Sequence, residues 1–338
     1  MKNIFVNEIK ENEKVESTFL VKQKSISFTK TGKPYLNLTL IDKTGEINGK
    51  VWEQAESLSK LFKKDDFIKI KSASVTYQNS LQLNISAITL CQTSEIDITG
   101  FLPQTENDLE QTFLKLKTVI EEVRNLHLKQ LLDLFMADEQ FVRLFKTSPA
   151  AKNLHHVYLG GLLEHTLSVS NLILQVCEHY QGLNLDLLLT GGILHDAGKI
   201  HELTYSRSFD YSDQGRLIGH ITLGVEMIDE KIRLIPDFPR ELAIELKHLI
   251  ISHHGEYQYG SPKRPKTVEA LILYYLDDLD AKVEEIQSFI QQEQENQSKC
   301  AGYHRMLERY IYKSLQNDSE SEQEEEYNCQ PNNSGEEG

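Results

Sequence analysis

Two different spacings of apolar residues divide the chain. From Val15 to about Cys91, apolar and polar residues alternate in short runs that are separated by turn residues such as Thr31-Gly32 and Thr44-Gly45. This alternation predicts half-buried β-strands joined by hairpins. We expect five strands, with a short helix at about 53–63 after the third strand. That order is typical of a small barrel of the OB type.

The period changes to 3.6 residues from position 106 onward, as in the spacing of Leu109, Phe113, Leu116 and Ile120. Helices are predicted at about 106–126, 128–146, 160–180, 183–197, 218–233, 238–253, 267–296 and 303–315. The expected fold class is therefore a five-stranded barrel followed by an all-α domain. We divide the chain into the barrel (1–95), a linker (96–105), the helical domain (106–316) and an acidic tail expected to be disordered (317–338).

The net charge of −15 is distributed unevenly. Residues 317–338 contain eight acids and no base, whereas residues 15–90 contain eleven lysines against seven acids. The local sign of charge, more than the total, steers a phosphate backbone toward a surface. The acidic total therefore does not exclude a nucleic-acid partner.

Other features of the composition exclude whole classes. No run reaches the ~18 apolar residues that a membrane helix needs, and the N-terminus is too polar for a signal peptide. We therefore expect a cytoplasmic protein without a membrane partner. The four cysteines are far apart in the sequence, which argues against a disulfide framework or a zinc knuckle. The oligomeric state stays open, a homo-oligomer included.

The barrel region offers side chains that suit a single strand of nucleic acid. Barrels of this type bind such strands with exposed aromatic rings and a basic groove. Alternatively, each ring is part of the barrel core and each lysine is an ordinary solvated side chain. The candidate rings are Phe28, Tyr35, Trp52 and Tyr77, and the candidate lysines are Lys22, Lys24, Lys30, Lys33, Lys43 and Lys50.

The apolar run LLLTGGILHDAGKI (187–200) is the most informative stretch of the helical domain. One imidazole and one carboxylate suit a divalent ion, and a nearby lysine attracts phosphate. Consecutive helical residues point about 100° apart, so His195 and Asp196 can share an ion only near a helix end, which Gly198 would supply. The alternative is that the pair merely caps a buried helix.

Further candidate ligands lie on or beside other apolar helices of this domain. They are His165, His220, His253-His254 and the acids Asp277, Asp278 and Asp280, with His155-His156 preceding the first of them. Coincidence is a poor explanation for so many independent placements. We expect the domain to bring them together at one site.

Five phrases in this region carry a family resemblance: HHVYLGGLLEHT, LHDAGK, HITLG, SHHGEYQYGSP and LDDLDAK. The order of histidines and acids resembles the HD superfamily of metal-dependent phosphohydrolases. The five phrases together resemble the narrower YhaM-type 3′-to-5′ exoribonucleases, in which an OB fold precedes an HD domain. The resemblance covers about residues 15–315 and is more specific in the second half.

The resemblance implies roles for individual residues. Asp277 is preferred to Asp278 because the late motif of the family fits Asp277, Asp280 and Ala281, which leaves Asp280 facing a helix or supporting a ligand. Lys199 would contact the substrate phosphate. The principal ion would be held by His165, His195, Asp196 and Asp277, and a second ion by His220, His253 and His254.

The implied cofactor is a divalent metal, as two ions, with Mn²⁺ as the first choice. His/Asp sites also accept Co²⁺, Fe²⁺, Zn²⁺ or Ni²⁺, and Mg²⁺ is a further candidate. His195, Asp196 and Lys199 are the expected catalytic residues. The loop GEYQYGSPKRPK lies between two sets of ligands, so Lys263, Arg264 and Lys266 are candidates to bind a phosphate backbone. An ordinary solvated loop is the alternative.

The function expected from these features is hydrolysis of single-stranded RNA from its 3′ end, with single-stranded DNA as a secondary substrate. A phosphodiesterase or phosphohydrolase for small or cyclic nucleotides is the second hypothesis. Against it, GEYQYGSP lacks the DGxGYP phrase of the cyclic-dinucleotide group. A nucleic-acid-binding adaptor without catalysis is the third, and the complete set of ligands argues against it.

Overall fold

The computed structural model describes residues 4–78, 80–92, 96–105, 107–151, 158–205, 210–292 and 299–313. The acidic tail expected at 317–338 and the pair His155-His156 lie outside the described residues.

Five N-terminal strands close into a barrel. Neighbours pair in the order β1-β2-β3-β5-β4, and every pairing is antiparallel except β3 with β5. A single helical turn, α1 (Ala55–Ser59), lies between β3 and β4. This is the OB arrangement predicted from the sequence. The strands are β1 (Lys14–Phe28), β2 (Pro34–Asp42), β3 (Gly45–Val51), β4 (Phe67–Tyr77) and β5 (Ser80–Leu90).

Alternation along the strands sorts side chains between the inside and the outside of the barrel. In β2, Leu36, Leu38 and Leu40 are buried, while the residues between them are only partly covered. Side chains of successive strand residues point to opposite faces, which explains why a period of two fills the core. Gly32, with φ of 80°, lies in the predicted turn between β1 and β2, where a left-handed backbone favours glycine.

The segment predicted as a linker is packed. Phe101 and Leu102 are buried against Leu20 and Phe67 of the barrel and Leu159 of the next domain. The rings of Phe67 and Phe101 meet edge to face at 4.9 Å between centroids. Residues 96–105 therefore connect the two parts through an apolar contact. The exact domain boundaries remain a prediction.

The second part of the chain is mainly helical. Its helices are α2 (Leu109–Ile120), α3 (Leu126–Met136), α4 (Glu139–Thr147), α5 (Gly161–His179), α6 (Leu185–Leu194), α7 (Lys199–Glu202), α8 (Asp213–Leu217), α9 (His220–Ile232), α10 (Arg240–Ser252) and α11 (Val268–Gln292). Two small antiparallel sheets accompany them. One pairs β6 (Leu203–Thr204) with β7 (Asp210–Tyr211), and the other pairs β8 (Cys300–His304) with β9 (Arg309–Tyr312).

Two of the predicted helices are wrong. The helix predicted at 128–146 is divided into α3 and α4, because the Asp138 side chain accepts a hydrogen bond from Phe141 N and begins a new helix. The helix predicted at 303–315 is the hairpin of β8 and β9. Its apolar residues fit a helical spacing, but Gly302 has φ of 97° and the tyrosines and Ile311 favour strands.

Helix α6 lies at the centre of the helical domain. All its residues from Leu187 to Leu194 are buried, and it packs against α5, α10 and α11. A helix that is apolar on every side must be covered on every side. The run LLLTGGIL therefore forms the centre of the domain, and the helix ends just before His195 and Asp196. Among the described residues, no helix is both long enough and apolar enough to cross a membrane.

Candidate metal centre

Helix ends bring most of the predicted ligands together. His195 and Asp196 directly follow α6, His220 begins α9, and His253 and His254 directly follow α10. His165 and Asp277 lie within α5 and α11. The helix end that His195 and Asp196 require is present, since α6 ends at Leu194. The structure thus collects all seven predicted ligands in the interior of one domain.

Three of these residues form a first group. His165 Nε2 lies 3.1 Å from Asp277 Oδ1 and 3.2 Å from His195 Nε2, and His195 Nε2 lies 3.6 Å from the same Asp277 oxygen. Both histidines are fully buried. Three ligand atoms at these separations can surround a single ion.

Three histidines form a second group. The imidazoles of His220, His253 and His254 offer ligand atoms that all lie within 4.8 Å of one another. The ring centroids of His253 and His254 are 4.4 Å apart, although the residues are sequence neighbours. This is possible because α10 ends before them, and Gly255, with φ of 73°, turns the chain.

Asp196 lies between the two groups. Its Oδ2 is 3.3 Å from His195 Nε2 in the first group, and its Oδ1 is 3.5 Å from His220 Nε2 and 3.7 Å from His253 Nε2 in the second. Within the described part of the chain, the Asp196 Oδ1, His220 Nε2 and His253 Nε2 atoms are buried without a hydrogen-bond partner. Buried polar atoms normally have one, so three orphaned atoms that face one another fit the ligands of a cation.

All five imidazoles are held at the same ring nitrogen, and the Nε2 atoms of four of them, His165, His195, His220 and His253, lie within 3.7 Å of Asp196 or Asp277. In each, Nδ1 is engaged by an oxygen behind the ring, which leaves Nε2 to face the other ligands. The partners of His165 and His220 are Asp280 Oδ2 at 2.7 Å and Glu202 Oε1 at 2.9 Å. The partners of His195, His253 and His254 are the carbonyl oxygens of Gly192 at 2.8 Å, Ile250 at 2.7 Å and Tyr259 at 2.9 Å.

Each group thus contains one histidine that is supported by a carboxylate. Asp280, which the sequence placed behind a ligand, contacts His165 and also accepts a hydrogen bond from Ser168. Glu202 was missed. It contacts both the ring and the backbone N–H of His220. The signal available was an acid three residues after Lys199, at the end of α7.

Burial disfavours the charged forms of the side chains in the site, and neighbouring charges counteract it for some of them. Burial tends to raise the pKa of Asp196, but Lys199 and His195 hold it well below its usual value. Burial likewise works against a charged His195, yet the carboxylates of Asp196 and Asp277 raise its pKa to about 10. Burial and the neighbouring His254 lower the pKa of His253. The ionised Asp196 and the neutral His253 are thus in the protonation states that metal ligands require, whereas His195 would have to release a proton to bind an ion.

Lys199 is the first residue of α7 and follows Asp196 by three residues. Its Nζ donates to Asp196 Oδ2 at 2.5 Å, and the side chain is almost fully buried. Burial would lower the pKa of Lys199, but the charge of Asp196, followed by that of Asp277, raises it. A charged lysine therefore lies against the carboxylate between the two groups.

Close packing of α7 on α9 holds the second group near Asp196. A Cβ atom added to Gly198 would lie 2.1 Å from the carbonyl oxygen of His220 and 2.7 Å from Gly224 N. Both are backbone atoms, which cannot move aside alone. The glycine of the LHDAGK phrase thus allows His220 to approach Asp196.

The loop after His254 carries the remaining predicted contacts. Lys263 and Arg264 are exposed, and Arg264 is paired with Glu256 at 2.7 Å. Tyr257 and Tyr259 of the same loop are exposed, and Tyr259 supplies the carbonyl oxygen that holds His254. The loop is therefore connected to the site through a ligand, but Lys263 and Arg264 do not join the ligand cluster.

Three of the four candidate rings of the barrel form one surface cluster. Tyr35 and Trp52 stack at 4.8 Å between centroids, and Trp52 Nε1 donates to Asn84 Oδ1 at 3.2 Å. Lys50 Nζ lies 5.3–5.8 Å from the ring centroids of Tyr35, Trp52 and Tyr77. Trp52 is 40% exposed and Tyr77 55%. The alternative that these rings fill the barrel core is therefore wrong. Phe28, 67% exposed, lies apart at the end of β1.

The predicted lysines of the barrel divide into two kinds. Lys30, Lys33 and Lys43 are exposed, and Lys50 contacts the ring cluster. Lys22 is exposed but paired with Glu46. Lys24 was placed wrongly, because its ammonium group turns inward and donates to the carbonyl oxygens of Ser59 and Phe62. Ser59 is the last residue of α1, and Phe62 follows it by three residues.

Comparison with known proteins bears on both parts. Residues 162–282 match the family model of the HD domain. The matched segment contains every proposed metal ligand, from His165 to Asp277, and ends just after Asp280. The barrel and the hairpin of β8 and β9 lie outside it.

Solved structures similar to the chain include the second OB-fold domain of replication protein A from Methanococcus maripaludis. It is 21% identical, and the match covers 27% of this chain and 94% of that one with a TM-score of 0.22. The mitochondrial single-stranded DNA binding protein Rim1 from S. cerevisiae is 13% identical in two crystal forms. Those matches cover 24% of this chain and 95% or 96% of Rim1, with TM-scores of 0.22. The assignment of the barrel fold rests on its own strand order.

Proposed function

We propose that this protein is a metal-dependent exonuclease that hydrolyses single-stranded RNA from the 3′ end, with single-stranded DNA as a secondary substrate. The observation that carries the proposal is the convergence of four imidazole Nε2 atoms on Asp196 and Asp277, with His254 beside two of these imidazoles, inside an HD domain. The choice of polymer and of its 3′ end comes from the sequence phrases shared with YhaM-type enzymes.

The donor set fits divalent metal ions. His165, His195 and Asp277 would hold one ion, His220, His253 and His254 would hold a second, and Asp196, which lies between the two groups, would serve as a ligand as well. Imidazole and carboxylate donors suit Mn²⁺, Co²⁺, Fe²⁺, Ni²⁺ and Zn²⁺, and Mn²⁺ is our first choice. The three orphaned buried atoms are the strongest support for this assignment.

Divalent ions bound at such a site lower the pKa of a water and offset negative charge on a phosphate. The protein supplies the rest. Asp280 and Glu202 orient His165 and His220, and the burial of the site strengthens every electrostatic interaction within it. Lys199 is positioned to share its positive charge between Asp196 and a phosphate oxygen. No side-chain nucleophile is needed.

Two surfaces would hold the polymer. Lys263 and Arg264 lie on the loop that is anchored at His254, so they can meet the backbone of a strand whose end occupies the site. The cluster of Tyr35, Trp52 and Tyr77 around Lys50 combines exposed rings with a cation, which is the chemistry that binds single strands without sequence preference. Phe28 adds a further exposed ring.

The test is a digestion panel with Mn²⁺, Co²⁺, Mg²⁺ and a metal chelator. The substrates are 5′-labelled, 3′-labelled and circular oligonucleotides of RNA and DNA, beside mononucleotides and cyclic dinucleotides. We expect 5′-labelled RNA to shorten progressively, 3′-labelled RNA to release its label at once, and circles to resist. Cleavage of circles would contradict exonuclease action. Activity on small nucleotides alone would favour the phosphohydrolase hypothesis.

A further inference from the structure

The hairpin of β8 and β9 has two unlike faces. On one face, Ala301, His304 and Ile311 are buried. His304 packs against the ring of Phe289 at 4.8 Å between centroids and lies 3.3 Å from Glu285 Oε1, both on α11. This face attaches the hairpin to the helix that carries Asp277. The other face points away from the helix.

The outer face displays tyrosines. Tyr303 and Tyr310 are paired across the two strands, and their rings meet edge to face at 5.2 Å between centroids. Tyr312 follows Tyr310 by two residues, so its side chain lies on the same face. Tyr303, Tyr310 and Tyr312 are 49%, 40% and 46% exposed. Three large, partly exposed rings therefore lie on one small surface.

The hairpin is also basic in an acidic protein. Residues 299–313 contain four basic residues (Lys299, Arg305, Arg309 and Lys313) and one acid, Glu308, whereas the whole chain has a net charge of −15. Arg305 and Arg309 are exposed, and Arg309 Nε donates to the carbonyl oxygen of Leu307 at 2.8 Å. Arg305 lies in the turn at 305–308, whereas Arg309 begins β9 on the face opposite Tyr310, so the exposed cations lie at the turn end of the hairpin, next to the tyrosine pair. The local charge complements a polyanion, and an apolar partner would gain nothing from it.

We infer that the hairpin of β8 and β9 is a second surface for single-stranded nucleic acid, in which Tyr303 and Tyr310 contact bases and Arg305 and Arg309 contact phosphates. Exposed aromatic rings among basic residues are the chemistry that recognises single strands. The inference deepens the proposed function and rests on it for the role of the strand. The hairpin lies outside residues 162–282, which match the HD domain, and outside the barrel.

The position of the hairpin suits a strand that enters the site. Glu285, which contacts the hairpin, follows Asp277 by eight residues in α11, a distance of about 12 Å at 1.5 Å per residue. A bound strand could therefore reach both the hairpin and the metal ligands.

The test is fluorescence anisotropy of the full chain with labelled oligo(U) and oligo(dT), in chelator so that nothing is hydrolysed. Tyr303→Ala with Tyr310→Ala removes the two rings, and Arg305→Ala with Arg309→Ala removes the two cations. We expect the tyrosine pair to weaken binding roughly tenfold or more. The arginine pair should reduce the salt slope by about 0.7 for each phosphate that is no longer neutralised. Tyr303→Trp with Tyr310→Trp should retain or tighten binding.

Matched controls remove equivalent groups elsewhere. Tyr180→Ala with Tyr275→Ala removes two exposed tyrosines, and Arg233→Ala with Arg240→Ala removes two exposed arginines. If the hairpin variants bind no worse than these controls, the inference is overturned. It is also overturned if the hairpin variants alter only self-association, measured by light scattering. Binding that depends on the hairpin in a chain that hydrolyses no nucleic acid would leave the inference standing and refute the proposed function.

Discussion

The two parts of this protein hold their functional side chains in opposite ways. In the helical domain, the five histidines and two aspartates of the site are largely buried, and each imidazole is held from behind by an oxygen. On the barrel, the rings of Tyr35, Trp52 and Tyr77 lie on the surface, around Lys50. The positions of the buried ligands depend on the packing of the whole helical domain. The positions of the exposed rings depend only on neighbouring strands of the barrel.

This difference has energetic consequences. A buried charge is costly without a partner, so the site must be complete to be stable. An exposed ring on a strand carries no such requirement, and its loss should weaken binding without disturbing the fold. Substitutions in the two regions should therefore separate into those that affect stability and metal together and those that affect only the polymer.

The largest effect is expected from Asp196→Ala. It removes the carboxylate between the two ligand groups and leaves Lys199 buried beside no partner of its own, which typically costs about 3–5 kcal/mol. Bound metal and turnover should both fall more than about a hundredfold. Metal analysis, hydrolysis of a small phosphodiester and thermal unfolding measure the three effects. Asp278→Ala removes a more exposed carboxylate on α11, next to the ligand Asp277 and paired with Lys282, and is the control.

Gly198→Ala tests the close approach of α7 and α9. The added carbon would meet backbone atoms of His220 and Gly224, so the two segments must separate. Overpacking of this kind costs about 1–3 kcal/mol, and it should release His220 from the second ligand group. Gly224→Ala is the matched control, because its added carbon would have no neighbour closer than 3.6 Å. Equal unfolding temperatures and metal contents for the two variants would contradict the role of this contact.

Glu202→Gln and Asp280→Asn should each affect one group. Replacing an acceptor behind a metal-bound imidazole typically lowers metal affinity about 10- to 100-fold. We expect Glu202→Gln to weaken the ion at His220, and Asp280→Asn the ion at His165. Calorimetric titration with Mn²⁺ distinguishes the two ions by their affinities. Glu226→Gln on the exposed side of α9 should change neither, and a uniform loss in all three variants would count against separate groups.

Trp52→Ala should have the smallest effect and a different signature. Loss of one stacking ring weakens binding of a single strand by about 1–3 kcal/mol, with no change in metal content. The weakening should be greater for a 20-nucleotide strand than for a dinucleotide, since only the long strand reaches the barrel. Anisotropy with both ligands measures this ratio. Equal weakening of the two ligands would show that the ring cluster is not a site for the polymer.

The sequence predicted most of the barrel because its information is local. A period of two, together with turns at Thr31-Gly32 and Thr44-Gly45, specifies strands whose side chains alternate between core and solvent. The orientation of Lys24 could not be predicted, because the carbonyl groups that attract it belong to residues 35 and 38 positions away. The same limit explains the terminal hairpin. The spacing of Tyr303, Leu307 and Tyr310 also fits a helix, and the choice depends on Gly302 and on burial against Phe289.

The ligands could be chosen from the sequence, but their arrangement could not. Histidines beside apolar helices marked His165, His220 and His253 as candidates, and α6 was identifiable as a buried helix. The position of Asp196 between two groups follows only from the way in which the ends of α6 and α10 and the start of α9 lie near one another. Glu202 was missed for the same reason, since its partner is 18 residues away.

Titration of the metal-free full chain with Mn²⁺ tests the central claim most directly. Wild type, His165→Ala, His220→Ala and Asp196→Ala are compared by calorimetry, with direct counting of bound ions and hydrolysis of 5′-labelled RNA on the same samples. We predict two ions for wild type, one for each histidine variant, and none held tightly by Asp196→Ala, with hydrolysis lost in all three variants. Binding of the same number of ions by Asp196→Ala and wild type, or RNA hydrolysis by Asp196→Ala at the rate of wild type, would contradict a two-group metal centre joined by Asp196.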